Sequence, residues 1–103
     1  MTAAEAGEGL RSGALVAVDV READEFAAGH LADSQLLPLS ELAARVGELP
    51  DGRMLIVCRT GSRSGMAADA LVEAGYDAVN LVGGLYAWVG AGLPLEPPDG
   101  FVA

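Results

Sequence analysis

Apolar and polar positions along the chain fall into short runs whose spacing changes between strand-like and helix-like. Leu15-Val16-Ala17-Val18-Asp19-Val20, apolar but for Asp19, and Met54-Leu55-Ile56-Val57 are too short for buried helices and contain β-branched residues. They predict strands, the second one covered on both faces. Gln35 to Leu37 and Val79 to Val82 are shorter strand candidates. Helical spacing occupies the intervals. Thr2-Ala3-Ala4-Glu5 has capping-box spacing and predicts a helix to about Arg11, closed by Ser12-Gly13. Glu22 to Ala28 reads as a helix stopped by Gly29. After Pro38, Ser40 is positioned to cap a helix in which Leu42, Val46 and Leu49 recur at helical spacing, and Pro50-Asp51-Gly52 then marks a turn. Ser62 or Ser64 is expected to cap the next helix, where Ala67, Leu71 and Ala74 share a face before Gly75. Gly83-Gly84 leads into a last helix carrying Leu85, Trp88 and Val89, and Pro94, Pro97 and Pro98 mark an irregular tail. Strands alternating with helices imply an α/β fold, a mainly parallel sheet with helices on both faces.

The 103 residues fit one domain with one core, and no internal repeat or low-complexity tract divides them. The organisation expected is a tail or short helix over residues 1–9, a domain over 10–96 and a tail over 97–103. Six cationic residues against fifteen acidic ones give a net charge of −9, which opposes binding to nucleic acid or to an anionic membrane surface. No stretch approaches the ~20 apolar residues of a membrane helix. Residues 1 to 9 lack a basic start and an apolar run, so the expectation is a soluble cytoplasmic protein. One cysteine and one histidine provide neither an internal disulfide nor a Cys/His metal cluster, and no metal or cofactor is expected.

Charge changes the picture at one place. The chain has no lysine, and two of its six arginines lie within the five residues after its only cysteine, in Cys58-Arg59-Thr60-Gly61-Ser62-Arg63-Ser64. This segment joins a buried strand to a helix start, where unpaired N–H groups and the positive helix end favour an anion. Ligands of open α/β sheets bind beyond the carboxyl ends of strands, which is where Cys58 is expected. The same field favours a thiolate, so the Cys58 pKa is expected below the ~8.5 of a free cysteine, with Arg59 and Arg63 helping to lower it. Gly61 lets the backbone turn its N–H groups inward, Thr60 and Ser62 can add hydroxyl donors, and Arg63 can cap an anion or brace the loop. The loop has no histidine or carboxylate, so activation of Cys58 relies on a lowered pKa and not on a neighbouring base. That suits sulfur transfer, in which a thiolate attacks an outer sulfur and expels a stable anion such as sulfite. A plain buried cysteine at a strand end is the competing reading of Cys58 taken alone.

At this point the residues resemble the rhodanese homology domain. Val18-Asp19-Val20-Arg21-Glu22 with Glu25-Phe26 and Gly29-His30-Leu31 looks like the family's first signature. Gly83-Gly84-Leu85-Tyr86-Ala87-Trp88 with Ala91-Gly92-Leu93-Pro94-Leu95 looks like its C-terminal one, and the cysteine loop lies between them. The resemblance runs from about Leu10 to Leu95. It implies a rhodanese-like three-layer fold on a four- to five-stranded sheet, a persulfide carried by Cys58, and a pocket lined by the backbone N–H groups of residues 59 to 63. It also implies that Asp19 and Arg21 are structural or support the site from behind, where a strand-end ion pair is the simpler role. His30 is read as fixing a loop by hydrogen bonding, and Trp88 as core. Two segments depart from the family pattern. Ala32-Asp33-Ser34-Gln35-Leu36-Leu37-Pro38 replaces a Pro-Gly-Ala-type turn and an Asn-Ile-Pro segment, and the family's first strand has no clear counterpart before Thr2. That edge strand is therefore absent or supplied by those few residues.

The function expected is a thiosulfate sulfurtransferase-like activity. A small sulfur-containing anion is the donor, Cys58 the catalytic nucleophile, and Arg59, Thr60, Gly61, Ser62 and Arg63 the substrate-binding set. With no second cysteine, the persulfide cannot be resolved internally, so the acceptor is an external thiol, cyanide or a cysteine on a partner protein. Two other readings compete. A catalytically silent module that binds a partner or senses redox state would form no persulfide. A cysteine phosphatase or arsenate reductase of the dual-specificity type would have five residues between cysteine and arginine, whereas Cys58 and Arg63 enclose four, and it would want a general acid that the loop lacks.

Overall fold

The computed structural model describes residues 1–103, and its strands are the short apolar runs of the sequence. They are β1 (Val16–Asp19), β2 (Gln35–Leu36), β3 (Met54–Val57) and β4 (Ala78–Asn80). All pairings are parallel and the order is β2-β1-β3-β4. The chain thus starts in the middle of the sheet, builds outward to one side, then crosses to the other. The reversal lies between β1 and β3, whose last paired residues are Asp19 and Val57. Such a switch point opens a crevice at the carboxyl ends of the two strands.

Side chains alternate across the sheet and build two cores. Ala17, Leu55 and Val57 face α1 (Ala3–Ser12) and α5 (Gly84–Gly90), packing with Ala6, Leu31, Leu85 and Trp88. Val18, Met54 and Ile56 face the other way, towards α3 (Leu39–Leu42) and α4 (Ser62–Glu73), with Leu42, Ala67 and Leu71. Cys58 continues the alternation of β3 on this second face. The three-layer α/β architecture is therefore the one expected. The fifth α-helix is α2 (Ala23–Ala28), at whose start the Glu22 N–H donates to Glu25 Oε1 at 3.0 Å, and the capping box of α1 is fully formed.

Several local expectations are corrected. Ser40 does not cap the helix after Pro38. Pro38 holds that position, and the segment leaves the α-helix after Leu42 to continue as a 3-10 helix over Ala43–Glu48, broken at Arg45. Leu42 is its only buried side chain and Val46 is 37% exposed, so little burial holds a longer α-helix in place. Gly61, not Ser62 or Ser64, is the N-cap of α4, and Ala74 lies at its exposed C-terminal end instead of on its buried face. No separate first strand is formed. The residue ahead of Thr2 supplies a fragment of one instead: Met1 donates from its amino group to the Asn80 carbonyl at 3.0 Å and accepts from the Val82 N–H at 2.9 Å, along the free edge of β4. No helix is long and apolar enough to cross a membrane.

Candidate functional site

Cys58 follows the last residue of β3 and is 1% exposed, at the floor of the loop that leads into α4. Its Sγ occupies the place of a helix-capping acceptor. The Gly61 N–H donates to it at 3.1 Å, the Ser64 N–H at 3.3 Å, and the Ser64 hydroxyl lies 3.2 Å away. Burial pushes the Cys58 thiol up, but hydrogen bonds from the Ser64 hydroxyl and from the Ser64, Gly61 and Thr60 N–H groups outweigh it, and the net result is a lowered pKa.

The loop holds this shape because its carbonyls are engaged elsewhere. Leu85 N–H donates to the Cys58 carbonyl at 2.9 Å and Tyr86 N–H to the Arg59 carbonyl at 3.2 Å. The first turn of α5 therefore turns these carbonyls away from the sulfur. The approach requires glycine. Gly84 has φ +60, and a Cβ there would lie 2.5 Å from the Arg59 oxygen and 2.6 Å from the Cys58 oxygen. Gly61 meets a similar demand from the loop side, with φ +94 and a Cβ position 3.1 Å from the Gly83 nitrogen.

The arginines divide in a way that local sequence does not show. Arg63 grips Glu25 of α2 through two hydrogen bonds of 2.8 Å, a bidentate pair that holds the Glu25 carboxyl at about 2 and raises Arg63. Its charge is committed to bracing the loop against α2. Arg59 is exposed, and it alone of the six arginines has no carboxylate within ion-pair distance. Thr60 and Ser62 are also exposed on the loop. Thus the expected loop residues are brought together, but backbone N–H groups and Ser64, more than guanidinium charge, lower the Cys58 pKa.

Asp19 and Arg21 are fully buried and paired, with Arg21 Nη2 at 2.8 Å from Asp19 Oδ2 and 2.7 Å from the Gly29 carbonyl. Arg21 Nε and its backbone N–H also donate to Asp19 Oδ1, each at 3.0 Å. This internal pair fixes the chain between β1 and α2, and so places Glu25 for Arg63. His30 stacks on Phe26 with ring centroids 3.9 Å apart, and its Nδ1 lies 2.8 Å from the Phe26 carbonyl. Trp88 is core, its Nε1–H donating to the Pro94 carbonyl at 2.8 Å.

Two residues at the site were not read as functional from the sequence. Ser64 was considered only as a cap, and Asn80 not at all. Ser64 Oγ lies 2.6 Å from Asn80 Oδ1, and Asn80 Nδ2 donates to the Gly61 carbonyl at 3.2 Å. The available signal was topological: Asn80 ends β4, the strand beside β3, at the same edge of the sheet as Cys58.

Comparison with known proteins agrees with this geometry. The Rhodanese-like domain model matches residues 2–91. A protein named sulfurtransferase from Allochromatium vinosum is 40% identical over 88 residues, covering 84% of this chain and 82% of that one. An uncharacterized protein of Synechocystis is 41% identical over 83 residues, 79% of this chain but 46% of its own length. Among solved structures, a rhodanese-related protein from Thermoplasma volcanium superposes with a TM-score of 0.86 at 32% identity, covering 92% of this chain and 94% of that one. A cysteine cradled at the carboxyl edge of a parallel sheet, the domain match over residues 2–91 and these relatives together place the chain in the rhodanese-like domain family.

Proposed function

We propose that the protein is a sulfurtransferase that moves a sulfane sulfur from an anionic donor such as thiosulfate to an external acceptor through a persulfide on Cys58. The observation that carries this reading is the convergence of two N–H groups and one hydroxyl on Cys58 Sγ, at 3.1, 3.3 and 3.2 Å, where the chain enters α4. The cradle stabilises a thiolate, and the loop around it carries no general base.

In the first half-reaction the Cys58 thiolate attacks the outer sulfur of the donor. The donor's sulfur–sulfur bond breaks, its electron pair leaves with sulfite, and the negative charge of the enzyme moves to the outer sulfur of the new persulfide. In the second, an acceptor thiolate or cyanide attacks that outer sulfur, and Cys58 leaves as the thiolate. No proton is transferred in either step, which matches a loop with no acid or base. Arg59, the arginine without a carboxylate partner, meets the anionic donor, while Thr60, Gly61 and Ser62 provide N–H and hydroxyl donors around it. Arg63 contributes through the loop shape that it fixes with Glu25.

Incubation with thiosulfate followed by intact mass measurement without reductant tests the reading. One added sulfur atom is expected on the wild type and none on Cys58→Ala. Absence of an adduct from thiosulfate and from other sulfane donors would instead indicate a silent binding or redox-sensing module.

A further inference from the structure

Ser64 Oγ stands between two acceptors, Cys58 Sγ at 3.2 Å and Asn80 Oδ1 at 2.6 Å. Ser64 is fully buried, so water does not compete for the hydroxyl. A hydroxyl has one proton to donate. The Asn80 amide cannot simply turn to relieve the conflict, because its Nδ2 is held by the Gly61 carbonyl at 3.2 Å and an Oδ1 in that place would face another oxygen.

We propose that Asn80 is a positioning residue for sulfur transfer, sharing the single Ser64 hydroxyl proton with Cys58 Sγ, so that the proton goes to the sulfur in the thiolate state and to Asn80 Oδ1 in the persulfide state. The proposal rests on the persulfide reading above. Before transfer, Sγ carries the full negative charge and a charge-assisted hydrogen bond draws the hydroxyl towards it. After the donor's sulfur–sulfur bond has broken and sulfite has left, the charge sits on the outer sulfur. Sγ is then a neutral divalent sulfur, a weak acceptor. The hydroxyl turns to the amide oxygen. When the acceptor attacks the outer sulfur, charge returns to Sγ and the hydroxyl turns back to stabilise the departing thiolate. Asn80 thereby favours formation of the persulfide and restrains its discharge, while Ser64 stabilises the departing thiolate, and neither residue transfers a proton. Asn80 also ties β4 to the loop through Gly61, so a purely structural role must be separated from this one.

The test is a pair of substitutions in two backgrounds, read by the pH dependence of Cys58 alkylation with iodoacetamide, which involves no sulfur donor. Arg63, the charged group that faces Cys58, stays bound to Glu25 throughout. Asn80→Ala removes the competing acceptor and is expected to lower the midpoint by about half a pH unit. In a Ser64→Ala background the same substitution is expected to leave the midpoint unchanged. Asn80→Asp keeps an acceptor and adds charge, so the midpoint should rise, and rise more with Ser64 present than without it. A structural role alone would shift the midpoint equally in both backgrounds. That result, or a rise with Asn80→Ala, overturns the proposal; should Asn80→Ala not fold, the background dependence of Asn80→Asp decides. Persulfided Asn80→Ala is further expected to discharge its sulfur to cyanide severalfold faster than the wild type, and an unchanged rate also counts against the sharing. If no donor yields a persulfide, the transfer reading fails, and the alkylation arms still decide whether the hydroxyl is shared.

Discussion

Gly84 and Arg59 approach so closely that a single added carbon at Gly84 would lie 2.5 Å from the Arg59 carbonyl oxygen. The contact makes α5 the support of the Cys58 loop. Gly84→Ala would force a left-handed conformation on a residue with a Cβ, costing about 1–2 kcal/mol, in addition to displacing the loop. The total expected is on the order of 3 kcal/mol, read by urea denaturation. Because the displaced backbone is the cradle itself, persulfide formation should also fall at least tenfold in protein that is still folded.

Cys58 in the folded protein is expected to alkylate with a pH midpoint below that of a free cysteine, since hydrogen bonding from the Ser64 hydroxyl and from the backbone N–H groups of the loop outweighs its burial. Urea-unfolded protein should return to the ordinary thiol midpoint. Equal midpoints in the two states would mean that the cradle does not act on the sulfur.

Arg59 and Arg63 should separate by substitution. Arg59→Ala removes an exposed guanidinium with no carboxylate partner. It should raise KM for thiosulfate roughly tenfold, about 1.4 kcal/mol, and leave thermal stability almost unaltered. Arg63→Ala breaks the bidentate pair with Glu25, and about 1–2 kcal/mol is expected to be lost, lowering the melting temperature by about 5–10 °C. Steady-state kinetics and a thermal melt on the same samples distinguish the two patterns.

Glu25 supplies a stability signature in acid. Its folded pKa, about 2, lies below its ordinary 4.5, so the ionised carboxylate stabilises the fold above 4.5 and that contribution drains away as pH falls towards 2. Glu25→Gln should be about 1–2 kcal/mol less stable than the wild type at neutral pH. The difference should close between pH 4.5 and 2, in urea denaturation series at each pH.

Much of this was legible along the chain. The apolar runs at Val16–Asp19 and Met54–Val57 became adjacent parallel strands because short, continuously apolar segments satisfy a sheet covered on both faces. Cys58 was placeable at a strand end for the same reason, and Thr2 and Glu5 formed the capping box that their spacing predicts. Capping inside the later helices was less legible. Gly61 took the place expected of a serine because the Sγ of Cys58 already accepts from the Ser64 N–H that a serine cap would have satisfied.

What the sequence by itself determined is the alternation of strands and helices and the position of a lone thiol at a helix entrance. These follow from period, turn chemistry and a count of one cysteine. Tertiary structure decided which groups act on that thiol. Arg63 meets Glu25 across 38 residues, Ser64 meets Asn80 across 16, and Asn80 reaches Gly61 across 19. Side-chain spacing within a helix or strand carries no information about contacts between different elements. Only the strand order and the packing of α2 and α5 against the loop commit Arg63 to a carboxylate, leave Arg59 free and give the Ser64 proton two places to go.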